Sequence, residues 1–173
     1  TELLPGWQIF VGFDNFTRAF TEESIRGPFF SVLIWTFVFA FLSVATTFVL
    51  GLFLAIVFND PRMKSKKYYR VLMILPYAFP GFLSALVWAG MMNQEFGFIN
   101  VVLFGGADIP WLTNEWLAKF SIILVNLWLG FPYMFLICTG ALQSIPDDLQ
   151  EAARVDGANA WQVFRSIKFP LLL

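Results

Sequence analysis

The stretch that decides the fold is Glu151-Ala152-Ala153-Arg154-Val155-Asp156-Gly157-Ala158, followed at a distance by Ile167 and Pro170. It is polar, of mixed charge, and wedged between two very apolar segments. A soluble domain has little reason to place it there; a membrane protein with an element facing a soluble partner does. Its local logic is helical. Pro146-Asp147-Asp148 reads as a helix start, because proline needs no amide partner in the first turn and carboxylates favour the positive end of the dipole. Gly157 can adopt the left-handed conformation that ends such a helix near Val155. A second helix is expected from Asn159 or Ala160, with Phe164 and Ile167 on one face, and Pro170 marks the turn into the membrane. The expected object is a helix–turn–helix elbow. Small Ala152 and Ala153 leave room for a partner, and Glu151 offers a charge to an Arg or Lys opposite. The blander alternative is a solvated connector between two spans.

Composition supports the membrane setting. The chain is 58% apolar and 13% charged, against about 25% charged in an ordinary globular domain. Three long runs carry no Asp, Glu, Lys or Arg: Gly27 to Asn59, Val71 to Met92 and Phe120 to Leu142. A bilayer core of ~30 Å needs about 20 helical residues, so each run can cross it. The fold class is therefore an all-α membrane protein, a polytopic helical bundle. Residues 1–28 form a periplasmic or interfacial segment, in which Asp14 or Asn15 is expected to cap a short helix to about Ser24. Trp7, Phe10, Phe13, Phe16 and Phe20 alternate there with charges, so the helix would rest on the membrane surface or on neighbours. Spanning helices follow at 29–58, 71–92 and 120–142. Between them lie a basic loop at 59–70, a 93–119 loop with an interfacial piece at Phe98 to Phe104, and the polar loop 143–168. Residues 169–173 begin a further helix. Gly51 and the pair Thr46-Thr47 mark a face where another helix can approach closely. The loop 59–70 holds Arg62, Lys64, Lys66, Lys67 and Arg70 against Asp60 alone, which places it in the cytoplasm. Alternation then puts 1–28 and 93–119 in the periplasm and 143–168 in the cytoplasm.

Several function classes drop out. Histidine is absent, which removes Ser-His triads, His-ligated zinc and imidazole relays. No Gly-x-x-x-x-Gly-Lys-Ser/Thr segment occurs, so the chain holds no ATP through a phosphate loop. The single cysteine, Cys138, offers neither a disulfide nor a metal cluster. No cofactor or metal is expected, and a net charge of −1 makes no case for nucleic acid. The spans lack charges, which argues against an ion-coupled pump or membrane enzyme and for a neutral substrate. The opening residues do not read as a signal peptide. Both ends look cut, and the chain reads as a piece of a larger permease.

The third span carries Asn126-Leu127-Trp128-Leu129-Gly130-Phe131-Pro132-Tyr133. Pro132 frees the Trp128 carbonyl, Gly130 admits a close neighbour, and Asn126 supplies a donor and an acceptor where neither is cheap to bury unpaired. Flat Trp128 and Tyr133 suit a sugar, with its apolar ring faces and hydroxyl edges. A proline-kinked packing helix explains the same residues. Pro76-Tyr77-Ala78-Phe79-Pro80-Gly81 repeats the theme in the second span, where two prolines disturb the helix and free the carbonyls of Leu72 and Pro76. Broken helices often line a cavity.

One spacing is specific. Glu-Ala-Ala, three residues, Gly, nine residues, Ile, one residue, a bulky apolar residue and Pro resembles the signature loop of the membrane subunits of bacterial ABC importers. Phe169 departs from the leucine usual there. Tyr69 to Ala78, Val125 to Gly130, Ile145 to Leu149 and Gly12 to Phe16 are similar to the maltose and maltodextrin permeases of that family, and the likeness covers essentially the whole chain. The resemblance implies a fragment of the type I ABC importer (MetI-like) permease fold, from the C-terminal half of a multi-pass protein of the bacterial inner membrane. It implies an ATPase-coupling set of Glu151, Ala152, Ala153, Asp156, Gly157, Ile167 and Pro170. It implies a substrate-binding set of Asn126, Trp128, Leu129, Gly130 and Tyr133, joined by Tyr77. Gly81 stands where the nearest relatives are expected to carry serine. The implied partners are a second permease subunit, two ATPase subunits, a periplasmic sugar-binding protein, the lipid bilayer, and maltose or maltodextrin as cargo. The alternatives are a permease of the same family for another neutral solute or sugar derivative, or a channel or carrier outside it, which would leave the twenty-residue signature unexplained.

Overall fold

The computed structural model describes residues 12–60 and 63–172. Expectations that fall on Trp7, Phe10, Arg62 and Leu173 lie outside them. Eight α-helices are described, with no strand among the described residues: α1 (Asp14–Thr21), α2 (Glu23–Asn59), α3 (Lys66–Ile74), α4 (Gly81–Met91), α5 (Glu115–Ser144), α6 (Asp147–Val155), α7 (Ala160–Val163) and α8 (Phe169–Leu172). A 3₁₀ turn joins α3 to α4 at Leu75–Ala78, and π turns lie at Ile99–Leu103 and Phe164–Lys168. Two compact units can be distinguished, one reaching Phe41 and one starting at Leu42.

In the first unit α1 starts at Asp14 with Phe13 in the capping position and no side-chain cap, so neither Asp14 nor Asn15 caps it. Asp14 instead sits in the first turn, where its charge suits the dipole. Arg18 Nε donates to Glu22 at 3.1 Å one turn on. Phe20, Phe29 and Phe30 meet edge-on, with ring centroids 5.5 to 6.0 Å apart.

The 37 residues of α2 and 30 of α5 are long and apolar enough to cross a membrane. The helix α2 begins at Glu23, six residues before the expected start of the span at 29, because charged first-turn residues do not oppose helix formation. The expected second span is bent: Lys66–Ala78 and Gly81–Met91 meet at 89°, the geometry of a broken span or of a re-entrant loop. Pro76 and Pro80 remove two amide donors, and the chain tightens into the 3₁₀ turn, where the freed Leu72 carbonyl accepts from Leu75 N–H.

Within the second unit α2 and α5 approach closely through small residues. Thr47, Gly51 and Ala55, spaced by four, are all buried. A Cβ added to Gly51 would lie 2.7 Å from Met134 Cβ and 2.8 Å from Met134 C and Phe135 N. One added to Gly130 would lie 2.8 Å from Thr47 Cγ2. This contact lets Leu52, Ala55, Phe135, Cys138, Leu142 and Ile145 close into one core. Met73 and Ile74 of α3, Phe164 and the α8 residues Phe169 and Leu172 pack against it.

The 93–119 segment has its own centre. Asn100, 1% exposed, donates through Nδ2 to Gln94 O at 2.9 Å and Ile109 O at 3.0 Å. Its Oδ1 accepts from Trp111 Nε1 at 2.7 Å. Ser121 Oγ in α5 donates to Trp111 O at 3.2 Å. Gly105 and Gly106, at φ +64° and +88°, end the π turn as expected of residues without a Cβ. Asn114 caps α5, its Oδ1 accepting from Trp116 N and Leu117 N.

Gly51→Val should force α2 off the α5 backbone and destabilise the protein by about 1–3 kcal/mol. Thermal unfolding in detergent measures this; an unchanged midpoint would show that the close approach is dispensable.

Candidate functional site

Two features merit a functional reading, and the elbow is the better defined. The helix α6 opens directly after Pro146, which takes the capping position one residue earlier than the first helical turn. Asp147 and Asp148 fill the first turn and Arg154 the last, as the dipole favours. Its end is a Schellman motif. Gly157, at φ +84°, donates to Arg154 O at 3.0 Å, and Ala158 N–H donates to Ala153 O at 2.9 Å. A capping box follows two residues later. Gln162 N–H donates to Asn159 Oδ1 at 2.9 Å, and Asn159 N–H donates to Gln162 Oε1 at 2.8 Å. Helix stop and helix start are thus back to back, so the bend between α6 and α7 is set by local hydrogen bonds.

The second limb then enters the core. Val163 is buried, and Phe164 packs on the core and on Phe169 with centroids 5.8 Å apart. Pro170 cannot donate into the ladder, and the wide π turn Phe164–Lys168 directly precedes its helix. The expected coupling residues divide accordingly. Glu151, Ala152, Asp156 and Gly157 are exposed on the first limb and the bend, while Ala153 and Ile167 are half-buried; Pro170 is exposed in α8. Under the elbow lies a cleft of about 900 Å³, lined in part by Glu151, Arg154, Trp161, Lys168, Asp60 and Gln143. Sequence reading passed over Val155, 87% exposed, and Trp161, 66% exposed. Val155 follows Glu151 by one helical turn, and that spacing is the signal that would have found it.

The second feature is a hollow of about 910 Å³ between α2, the broken span and α5. The 3₁₀ break contributes Leu75 and Pro76, as the two-proline pattern suggests. Trp128 lies on it, 6.0 Å edge-to-face from Trp88 and 5.9 Å from Phe131. Ser84 is the one hydroxyl-bearing residue in its lining. Asn126, Leu129, Gly130, Tyr133 and Tyr77 do not line it. At 3.6 residues per turn Trp128 stands about 200° around α5 from Asn126, whereas 126, 129, 130 and 133 share one face. Gly130 is taken up by Thr47 of α2. Tyr133, 50% exposed, and Tyr77, 57% exposed, present their phenol rings on the surface of this chain. The candidate substrate residues therefore fall into two groups: a polar face around Asn126 and Tyr133, and an apolar hollow holding Trp128. Trp88 was not anticipated; a lone tryptophan in the second uncharged run was its only sign. No cluster of metal-ligating side chains exists among the described residues.

Comparison with known proteins shows what the chain is similar to. The family model described as "Binding-protein-dependent transport system inner membrane component" matches residues 47–173. The chain is 46% identical over 174 residues to the maltose/maltodextrin transport system permease protein MalF of Klebsiella aerogenes, covering 99% of this chain and 34% of that protein. It is 45% identical to the protein of the same name from Salmonella typhimurium and 44% identical to that of Escherichia coli, with the same coverage. The chain thus spans about a third of the length of these relatives. Among solved structures, a bacterial ABC transporter involved in the import of the acidic polysaccharide alginate superposes with TM-score 0.81 at 25% identity, over 96% of this chain and 58% of that one. The same kind of transporter in complex with an alginate pentasaccharide-bound periplasmic protein gives TM-score 0.75 over 94% of this chain and 56% of that one.

Replacing Asn159 by Ala should remove the capping box and cost about 1 kcal/mol locally. Amide hydrogen exchange across residues 158–163 should then quicken; unchanged exchange would show that the bend is held by something else.

Proposed function

The chain belongs to the family of inner-membrane components of binding-protein-dependent transport systems, and on that premise we propose that it serves an ATP-driven importer of maltose or maltodextrins as part of its spanning permease. The observation that carries this reading is sustained identity of 44–46%, over essentially the whole chain, to permeases named for that sugar. The uncharged spans favour a neutral cargo, whereas an acidic polysaccharide such as that of the alginate transporter would call for cations along its path. Gly81, in place of an expected serine, leaves another neutral sugar derivative as the second reading.

In this account the chain performs no chemistry. A second permease subunit completes the path, two ATPase subunits supply the energy, and a periplasmic binding protein delivers the sugar. The loop 59–70 and the elbow face the cytoplasm. The elbow sits in a cleft of an ATPase subunit through Glu151, Ala152, Val155 and Trp161, and movement of that subunit shifts α5 and the broken span through the core. Sugar contacts fall on the Asn126 and Tyr133 face with Leu129 and Tyr77, while Gly130 lets Thr47 of α2 close against that face. Trp128 shapes the neighbouring wall.

Two variants test this in the full complex reconstituted in vesicles. Glu151→Lys should cut sugar uptake by about tenfold or more, since reversing a docked charge leaves its partner opposed. Retention of full transport would remove the docking role. Asn126→Ala should raise the half-saturating sugar concentration roughly fivefold by deleting about one hydrogen bond, with ATP hydrolysis still stimulated by the binding protein. Trp128→Ala should change that concentration less. The reverse order would move the sugar into the apolar hollow.

A further inference from the structure

We infer that Arg70 is the positioning residue that transmits elbow movement to the broken span, by latching the ends of α2, α3 and α5 together. The inference rests on the coupling role proposed above for the elbow. Arg70 lies in α3, half-buried, five residues before the 3₁₀ turn. Its Nη2 donates to Phe58 O and to Asn59 Oδ1, each at 3.2 Å, at the last turn of α2. Gln143, in the last turn of α5, sets its side-chain amide against the guanidinium; assigned with its oxygen toward the cation, as the hydrogen-bonding requires, it accepts from Nη1 at 3.0 Å and Nη2 at 3.3 Å. Gln143 stands two residues before buried Ile145, and Pro146 then opens the elbow. One planar cation therefore spans the root of the elbow, the end of α2 and the limb leading into the 89° break.

Three features make this a latch that can change state. First, Phe58 O, Asn59 Oδ1 and the Gln143 amide oxygen are neutral acceptors. A guanidinium on carbonyl oxygens is released more easily than one locked in a buried ion pair, where loss of the partner leaves a lone charge. Second, Nε is buried without an acceptor among the described residues. A packing that gave this donor an acceptor would gain one hydrogen bond. Third, the latch is backed by a flat stack. Phe58 lies parallel to Tyr69 with centroids 5.7 Å apart and 13° between planes, and meets Phe135 of α5 edge-on at 6.0 Å. The stack lets α3 slide along the end of α2 while contact is kept, and the hydrogen bonds fix where it stops. The fork geometry is what a lysine cannot reproduce, since its point charge reaches one acceptor direction at a time.

The test uses the complete transporter, with both permease subunits, ATPases and sugar-loaded binding protein, in vesicles. Arg70→Lys, Arg70→Met and Gln143→Leu are compared with Glu151→Lys for three readouts: ATPase subunits retained on purification, stimulated ATP hydrolysis, and sugar moved per ATP. The expected result for Arg70→Met is retained assembly and hydrolysis with sugar per ATP lowered at least about fivefold. Gln143→Leu, at an exposed position that does not threaten folding, should lower the ratio in the same direction, and Arg70→Lys should not restore it. An unchanged ratio in assembled Gln143→Leu and Arg70→Lys complexes would overturn the latch, including where Arg70→Met fails to assemble. Failure of the elbow reading has a different signature: Glu151→Lys would then keep both assembly and the ratio.

Discussion

The structure depends on the contact between Gly51 and the backbone of Met134 and Phe135, seconded by Gly130 against Thr47. In a bilayer, two helices gain little from apolar side chains alone, because lipid tails are equally apolar; they gain from close packing between small residues. Here the close approach brings Leu52 and Ala55 onto Phe135, Cys138 and Leu142. Without it there would be no surface on which the second limb of the elbow could settle.

From that contact the other features follow in order. The core accepts Phe164 and Phe169, so the elbow is anchored by its second limb and free on its first. Its bend is fixed by the Schellman motif and the capping box, which leaves little local slack between the exposed Glu151 limb and the anchored one. The helix α5 continues from this anchorage to Ser121, which holds Trp111 and through it Asn100. A single helix thus joins two hydrogen-bonded knots, one at each end. Rigid elements of this kind move as bodies, and an element built to transmit a displacement needs that property.

Much of this was legible in the residues. Gly157, Asn159 and the Asp147-Asp148 start specify the elbow locally, and local signals survive folding. Gly51 and Thr47 announced a close helix contact. The paired prolines at 76 and 80 announced a break, though its 89° angle depends on packing against α5. Other features needed three dimensions. Asn100 gave no signal in the sequence, since its partners Gln94, Ile109 and Trp111 are brought to it only by folding. Arg70 read as one more basic residue of a loop because Gln143 is far away in sequence. The division of Trp128 from Asn126 was present in the helical repeat itself and was obscured by grouping the segment by composition.

A cross-link reports most directly on the central claim, that the exposed limb of this elbow meets an ATPase subunit. A photo-reactive side chain placed at Ala152 in the complete, transport-competent complex should yield an adduct with that subunit, and its yield should change between nucleotide-free and ATP-bound states. Absence of the adduct, in a complex that still moves sugar at the normal rate, would contradict the account.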